Sequence, residues 1–164
     1  MRRNRQLLQL ALALLCLLAT SLARAEDDAA REARHRRVAE RRAGVHLICH
    51  RGVGEFAQEN TLEAYRAAFE WGADGNEIEV RAIRDGVPVC FDGDVIDQAL
   101  AGYGDVADDT WDELRRTAFR KPGRCGRHCR IATLREALGL HRAAGGLVHL
   151  DVKRPGLLES IAAL

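Results

Sequence analysis

From Gly44 onward, short apolar runs alternate with amphipathic stretches, and this alternation constrains the fold more than any other feature of the chain. Residues 45–49 form an apolar run of strand length that ends at His50-Arg51-Gly52. Asn60 or Thr61 then opens a helix, with Glu63 three residues after Asn60 as in a capping box. Leu62, Tyr65, Ala68 and Phe69 recur at helical spacing, and Gly72 closes the segment. Residues 77–83 predict a second strand, Asp85-Gly86 a tight turn, and residues 87–91 a third strand. A long polar loop comes next. Thr110-Trp111-Asp112-Glu113 and Thr133-Leu134-Arg135-Glu136 then each begin a capped helix, the second carrying Leu134, Leu138 and His141 on one face. Residues 147–152 predict a fourth strand, and 156–164 the start of another helix. Strands alternating with helices predict an α/β fold with a mostly parallel sheet.

The first 25 residues stand apart. Arg2, Arg3 and Arg5 precede an apolar run from Leu7 to Ala19, and Ala23-Arg24-Ala25 offers small residues where a signal peptidase reads. The run is shorter than the roughly 20 residues of a membrane span, so a leader cleaved near Ala25 and an exported, periplasmic or secreted product are expected. Residues 26–43 are charged with almost no apolar face, as a linker or a solvated helix would be. Arg31, Arg34, Arg36, Arg37, Arg41 and Arg42 would allow weak attraction to anionic surfaces. The folded domain is expected over 44–164. The leader holds Arg2, Arg3, Arg5 and Arg24 and no acid, so the chain from Glu26 onward is mildly acidic and poor in aromatic residues. That balance argues against nucleic acid as a partner. Cys49, Cys90, Cys125 and Cys129 remain after the leader. Cys125 and Cys129 flank His128 in a Gly- and Arg-rich loop, where a local disulfide is expected ahead of a zinc site.

Side chains two apart on a strand share a face, so Glu77 and Glu79 point the same way. Carboxylates held together repel unless a hard cation or a shared proton intervenes, and Asp151 on the fourth strand offers a third oxygen donor. Surface acids on a sheet edge would give the same E-x-E pattern. Five ordered motifs remove that ambiguity: His50-Arg51-Gly52, Glu59-Asn60-Thr61, Gly75-x-Glu77-x-Glu79-Val80-Arg81, Asp85-Gly86-Val87-Pro88-Val89 and Asp151-Val152-Lys153. Together they resemble the glycerophosphodiester phosphodiesterase family, over about residues 46–155.

The resemblance implies a TIM-type (β/α)8 barrel of the phospholipase-C-like group and metal-dependent hydrolysis of glycerophosphodiesters, with a small phosphodiester as the binding partner. It implies His50 as a general acid/base, Arg51 and Lys153 on the phosphate, and Glu77, Glu79 and Asp151 as ligands of Ca2+ or Mg2+. Imidazole suits proton transfer near neutrality, and guanidinium suits a phosphate's oxygens. Glu59 and Asn60 match residues around the same pocket, and helix capping would explain them equally.

Three departures stand out. Asp92 occupies the place of the family's second catalytic histidine. With Asp85-Gly86 as a two-residue turn, Asp92 falls opposite Glu79 and faces the carboxylates. Aspartate, with a pKa near ~3.9, is a poor proton donor at neutral pH. Asp92 therefore stands either as a weak general acid, as a further metal ligand, or as the mark of an impaired, phosphodiester-binding relative. Glu79 and Asp151 also exchange the family's aspartate and glutamate, which is expected to draw an ion toward the fourth strand. Finally, a TIM barrel takes about 250 residues. Four candidate strands in 164 residues predict its N-terminal half, truncated after strand 4 or completed by a second half barrel.

Overall fold

The computed structural model describes residues 29, 32–33, 35–37, 39–40, 43–121 and 128–164. The expected leader, much of the charged stretch and Cys125 lie outside them. Glu32, His35, Arg36, Arg37 and Glu40 are helical and exposed. The chain divides after Val45, and every element below belongs to the unit His46–Leu164.

That unit orders as β1 (Ile48–Cys49), α1 (Leu62–Glu70), β2 (Gly75–Ala82), β3 (Pro88–Cys90), α2 (Trp111–Leu114), α3 (Leu134–Ala144), β4 (Leu147–Val152) and α4 (Leu158–Ala162). β2 is the spine of the sheet. β4 runs parallel along one edge from Gly75↔Leu147 to Val80↔Val152. β1 pairs parallel with Gly75 and Asn76, and β3 pairs antiparallel with Val80, Arg81 and Ala82. A strand has only two edges, and β4 fills one along Gly75–Val80. β1 and β3 therefore lie end to end along the other. Parallel β1, β2 and β4 form the wall; β3 is a hairpin arm folded back on it.

β1 is shorter than the apolar run predicts. The ladder begins at Ile48↔Gly75, so Val45 and Leu47 precede it and remain exposed. The hairpin register also differs by one. Arg84-Asp85-Gly86 forms a three-residue loop in which Gly86 N–H donates to Ile83 O and Gly86 takes φ +77°. The glycine is thus spent on the left-handed position that ends a longer loop, not on a two-residue turn. Val80 pairs with Cys90, and Phe91 rather than Asp92 comes opposite Glu79, with Phe91 N–H donating to Glu79 O at 3.0 Å.

The two faces of β2 divide the chemistry. Ile78 and Val80 pack under the helices with Tyr65, Leu134, Ala137 and Leu157. Glu77, Glu79 and Arg81 project from the opposite face. Thr61, Thr110 and Thr133 cap α1, α2 and α3, the last two through full capping boxes. His141 of α3 donates from Nδ1 to Ala137 O and takes a hydrogen bond at Nε2 from Asn76 of β2, tying helix to sheet. The segment after β3 is more than a polar loop. Its Ile96, Leu100, Val106 and Phe119 bury against Val89 and Phe91, with two 3-10 turns between them. Cys129 is disulfide-bonded, which removes it as a thiolate ligand for zinc, while Cys49 and Cys90 are free.

Candidate active site

The site lies at the C-terminal ends of the parallel strands. Directly after β1 the chain turns sharply. Arg51 takes φ +57° and Gly52 φ +82°, and a Cβ at Gly52 would come within 2.7 Å of Ala64. Glycine there lets the turn sit against α1 and aims Arg51 across the strand ends. Asn60 also takes φ +57°, held by its N–H to Arg51 O at 3.0 Å. Two non-glycine residues in this conformation, side by side, are backbone strain gathered at one place.

Arg51 is the hub. Its Nε lies 2.8 Å from Glu79 Oε2, and its Nη1 lies 2.8 Å from Asp92 Oδ2 and 3.3 Å from Glu59 Oε2. Glu79 is only 1% exposed. Asn60 Nδ2 donates to its Oε2 at 2.9 Å and Lys153 Nζ to its Oε1 at 2.7 Å. Because Thr61 caps α1, the Asn60 amide is free for this task, and Tyr65 Oη donates to Asn60 Oδ1 at 3.0 Å to hold it. Lys153 also donates to Asp151, the ladder partner of Glu79, and stands 3.5 Å from Asp92 Oδ1.

Asp92 reaches the cluster although the observed hairpin register would put position 92 in line with Ile78. β3 ends at Cys90, so strand alternation no longer governs the residue. Arg81 fixes it instead, donating from Nε and Nη2 to Asp92 O at 3.0 and 2.7 Å and pairing with Asp94. Burial pushes the Glu79 carboxyl above the usual carboxylate range, against the hydrogen bonds of Lys153 and Asn60. Burial also acts to raise Asp92, but its link to Glu79 and the charges of Arg51 and Lys153 hold it below that range. Of this pair, Asp92 is the more acidic.

His50 is exposed at the rim, its Nε2 3.2 Å from Glu77 Oε2. That oxygen is buried and makes no hydrogen bond. Glu77, Glu79 and Asp151 supply only hard oxygens on one face of adjacent strands, a donor set that suits Ca2+ or Mg2+. The orphaned Glu77 oxygen fits the same requirement. Among the described residues no three ligating side chains converge into a metal cluster as they stand. The Lys153 ammonium lies between Glu79 and Asp151.

Beside Arg51 opens a cavity of about 200 Å³ whose lining includes Gln58, Glu59, Asn60, Phe91, Asp92 and Gln98. The structure thus brings His50, Arg51, Glu59, Asn60, Glu77, Glu79, Asp92, Asp151 and Lys153 to one face. It adds Tyr65 and Arg81, which sequence reasoning does not single out for the site. Arg81 is legible in principle, since it follows Glu79 by two on the same strand face. Tyr65 reads as a core residue, and its hydroxyl has no sequence signal.

The fold and site define an α/β protein with a guanidinium and paired carboxylates gathered at the ends of its parallel strands. The model of the Glycerophosphoryl diester phosphodiesterase family matches residues 50–162. A glycerophosphodiester phosphodiesterase of Caldanaerobacter subterraneus is 34% identical over 121 residues, covering 70% of this chain and 50% of the relative. Glycerophosphodiester phosphodiesterase 1 of Rattus norvegicus is 36% identical, covering 72% of this chain and 37% of the relative. Among solved structures, an Oleispira antarctica phosphodiesterase in complex with the product sn-glycerol-3-phosphate superposes with a TM-score of 0.65. It is 30% identical, covering 73% of this chain and 49% of that one. The chain belongs to the glycerophosphoryl diester phosphodiesterase family, and it spans about half the length of these relatives or less. The fold is accordingly part of a TIM-type barrel, with β1, β2 and β4 in its wall.

Proposed function

We propose that the chain carries the phosphate- and cation-binding face of an exported phosphoric diester hydrolase acting on glycerophosphodiesters. The observation that carries this reading is Arg51, held by Glu59, Glu79 and Asp92 over the strand ends and beside His50 and Glu77. A planar fork of donors in that position receives two phosphate oxygens at once. Lys153 adds a second positive group on the same side. The bound product of the Oleispira relative supports a small phosphodiester as the ligand.

Glu77, Glu79 and Asp151 would hold a divalent cation, which when bound polarises the phosphoryl group and lowers the pKa of an attacking hydroxyl. The rest falls to the chain's own groups. His50 Nε2, open to solvent and directed at Glu77, is placed to move a proton to or from an oxygen of the diester. Arg51 fixes the phosphate, while Asn60, locked by Tyr65, keeps Glu79 from turning away.

A second reading is favoured by one feature. Asp92 faces the cations Arg51 and Lys153, and a carboxylate so paired has no proton to give a leaving alkoxide. On that reading the chain binds phosphodiesters without turnover. Release of sn-glycerol 3-phosphate from a glycerophosphodiester separates the two. Hydrolysis that EDTA abolishes, and that His50→Ala lowers by about 10²-fold or more, supports the hydrolase. Binding of sn-glycerol 3-phosphate without any turnover supports the second reading.

A further inference from the structure

Lys153 holds a place that a bound cation would contest. Its Nζ lies 2.7 Å from Glu79 Oε1, donates to Asp151 Oδ2, and stands 3.5 Å from Asp92 Oδ1. Glu79 and Asp151 are direct partners across the β2–β4 ladder, so the ammonium bridges one rung. The site as a whole gathers the carboxylates Glu59, Glu77, Glu79, Asp92 and Asp151 against the permanent positive charges of Arg51 and Lys153, with Arg81 paired to Asp94 beside them. A buried carboxylate such as Glu79 is costly to leave without a positive partner.

The two cationic side chains differ in their freedom. Arg51 is fixed by three carboxylates and by its own left-handed backbone. Lys153 also meets three carboxylates, but through a single ammonium at the end of its stem, while its backbone is held independently by its N–H donating to Val80 O at 3.3 Å. The two side chains are about equally exposed, at 21% for Lys153 and 23% for Arg51, and Lys153 points toward Asp151, which is 39% exposed. A flexible four-carbon stem can carry the ammonium away while the strand stays in place.

We propose that Lys153 is an exchangeable counter-cation, neutralising Glu79 and Asp151 until a divalent cation takes those oxygens and the released ammonium turns to the phosphate. The proposal rests on the reading of Glu77, Glu79 and Asp151 as cation ligands. An ammonium and a divalent ion cannot share the same oxygens, because their mutual repulsion at such separations is large. Cation binding therefore requires Lys153 to leave, and Lys153 that has left is available to an anion. The two ligands strengthen each other's binding, and by linkage the enhancement is equal in both directions.

Calorimetric titration of the full chain tests this without reference to turnover. CaCl2 is titrated into wild type, Lys153→Met and Lys153→Gln, each with and without sn-glycerol 3-phosphate. The expected result is calcium binding about tenfold tighter in the variants, with the calcium-induced gain in sn-glycerol 3-phosphate affinity present in wild type and reduced in both. Lys153→Gln keeps an N–H for Glu79 and serves if Lys153→Met does not fold. Calcium bound by the variants but not by wild type also supports the exchange. Equal or weaker calcium binding in the variants overturns it while leaving the carboxylates as ligands. So does the absence of any calcium–glycerol phosphate coupling in wild type. No calcium binding by any of the three proteins overturns the ligand assignment as well.

Discussion

Arg51 and Asn60 show how much of the site is decided residue by residue. Each takes φ +57°, and each hands its side chain to Glu79. Neither conformation is visible in the sequence, where Arg51 reads only as part of His50-Arg51-Gly52 and Asn60 only as a candidate cap. On the proposed hydrolase reading, Asp92 is the residue on which turnover would depend. Placed against Arg51 at 2.8 Å, it serves as a counter-charge, whereas histidine there could give a proton at neutral pH. Asp92→His is expected to raise kcat for glycerophosphodiester hydrolysis at neutral pH by about 10²- to 10⁴-fold. Equal kcat in both forms would show that Asp92 does not limit the chain. The identity of this residue is legible from the sequence. Its route into the site is not, because that depends on Arg81 gripping the Asp92 carbonyl.

At the scale of elements, β2 contributes most to the site. It gives Ile78 and Val80 to the helices and Glu77, Glu79 and Arg81 to the open face, a division its alternation announces. The capping residues Thr110 and Thr133 and the bounds of β4 are likewise readable, since each has a local cause. The hairpin register is not. A two-residue turn and a three-residue loop both use Asp85-Gly86, and what separates them is whether Gly86 sits inside the turn or on the left-handed position after it. The apolar residues of segment 92–121 are also hidden, because no α-helix or strand carries Ile96, Leu100, Val106 and Phe119.

The joint between α3 and β2 carries a pH dependence. Burial lowers the pKa of His141, and Asn76 presents a donor to its Nε2, so the folded state favours the neutral ring. Above the unfolded pKa the ring is neutral in both states and costs nothing. As pH falls from the unfolded value toward the lower folded one, the unfolded chain binds the proton first and stability is lost. Urea midpoints at about pH 7.5 and about pH 5 are expected to lie further apart in wild type than in His141→Gln. Identical differences in the two proteins would contradict the assignment.

At the scale of the whole molecule, the site joins segments far apart in the sequence: Arg51 after β1, Glu79 on β2, Asp92 after β3 and Lys153 after β4. The wall they share is legible as an alternation of strands and helices. That β3 is an antiparallel arm is implied by the turn signal, but its placement end to end with β1 requires the register. A ligand that touches all of these segments binds only the folded chain and stabilises it as a unit. The most direct test of the Arg51-centred phosphate site is therefore thermal unfolding with increasing sn-glycerol 3-phosphate, in wild type and in Arg51→Lys. The expected result is a Tm that climbs with ligand concentration in wild type and a much smaller rise in Arg51→Lys, which keeps the charge but loses the fork. Equal rises in both proteins, or none in wild type, would contradict the account.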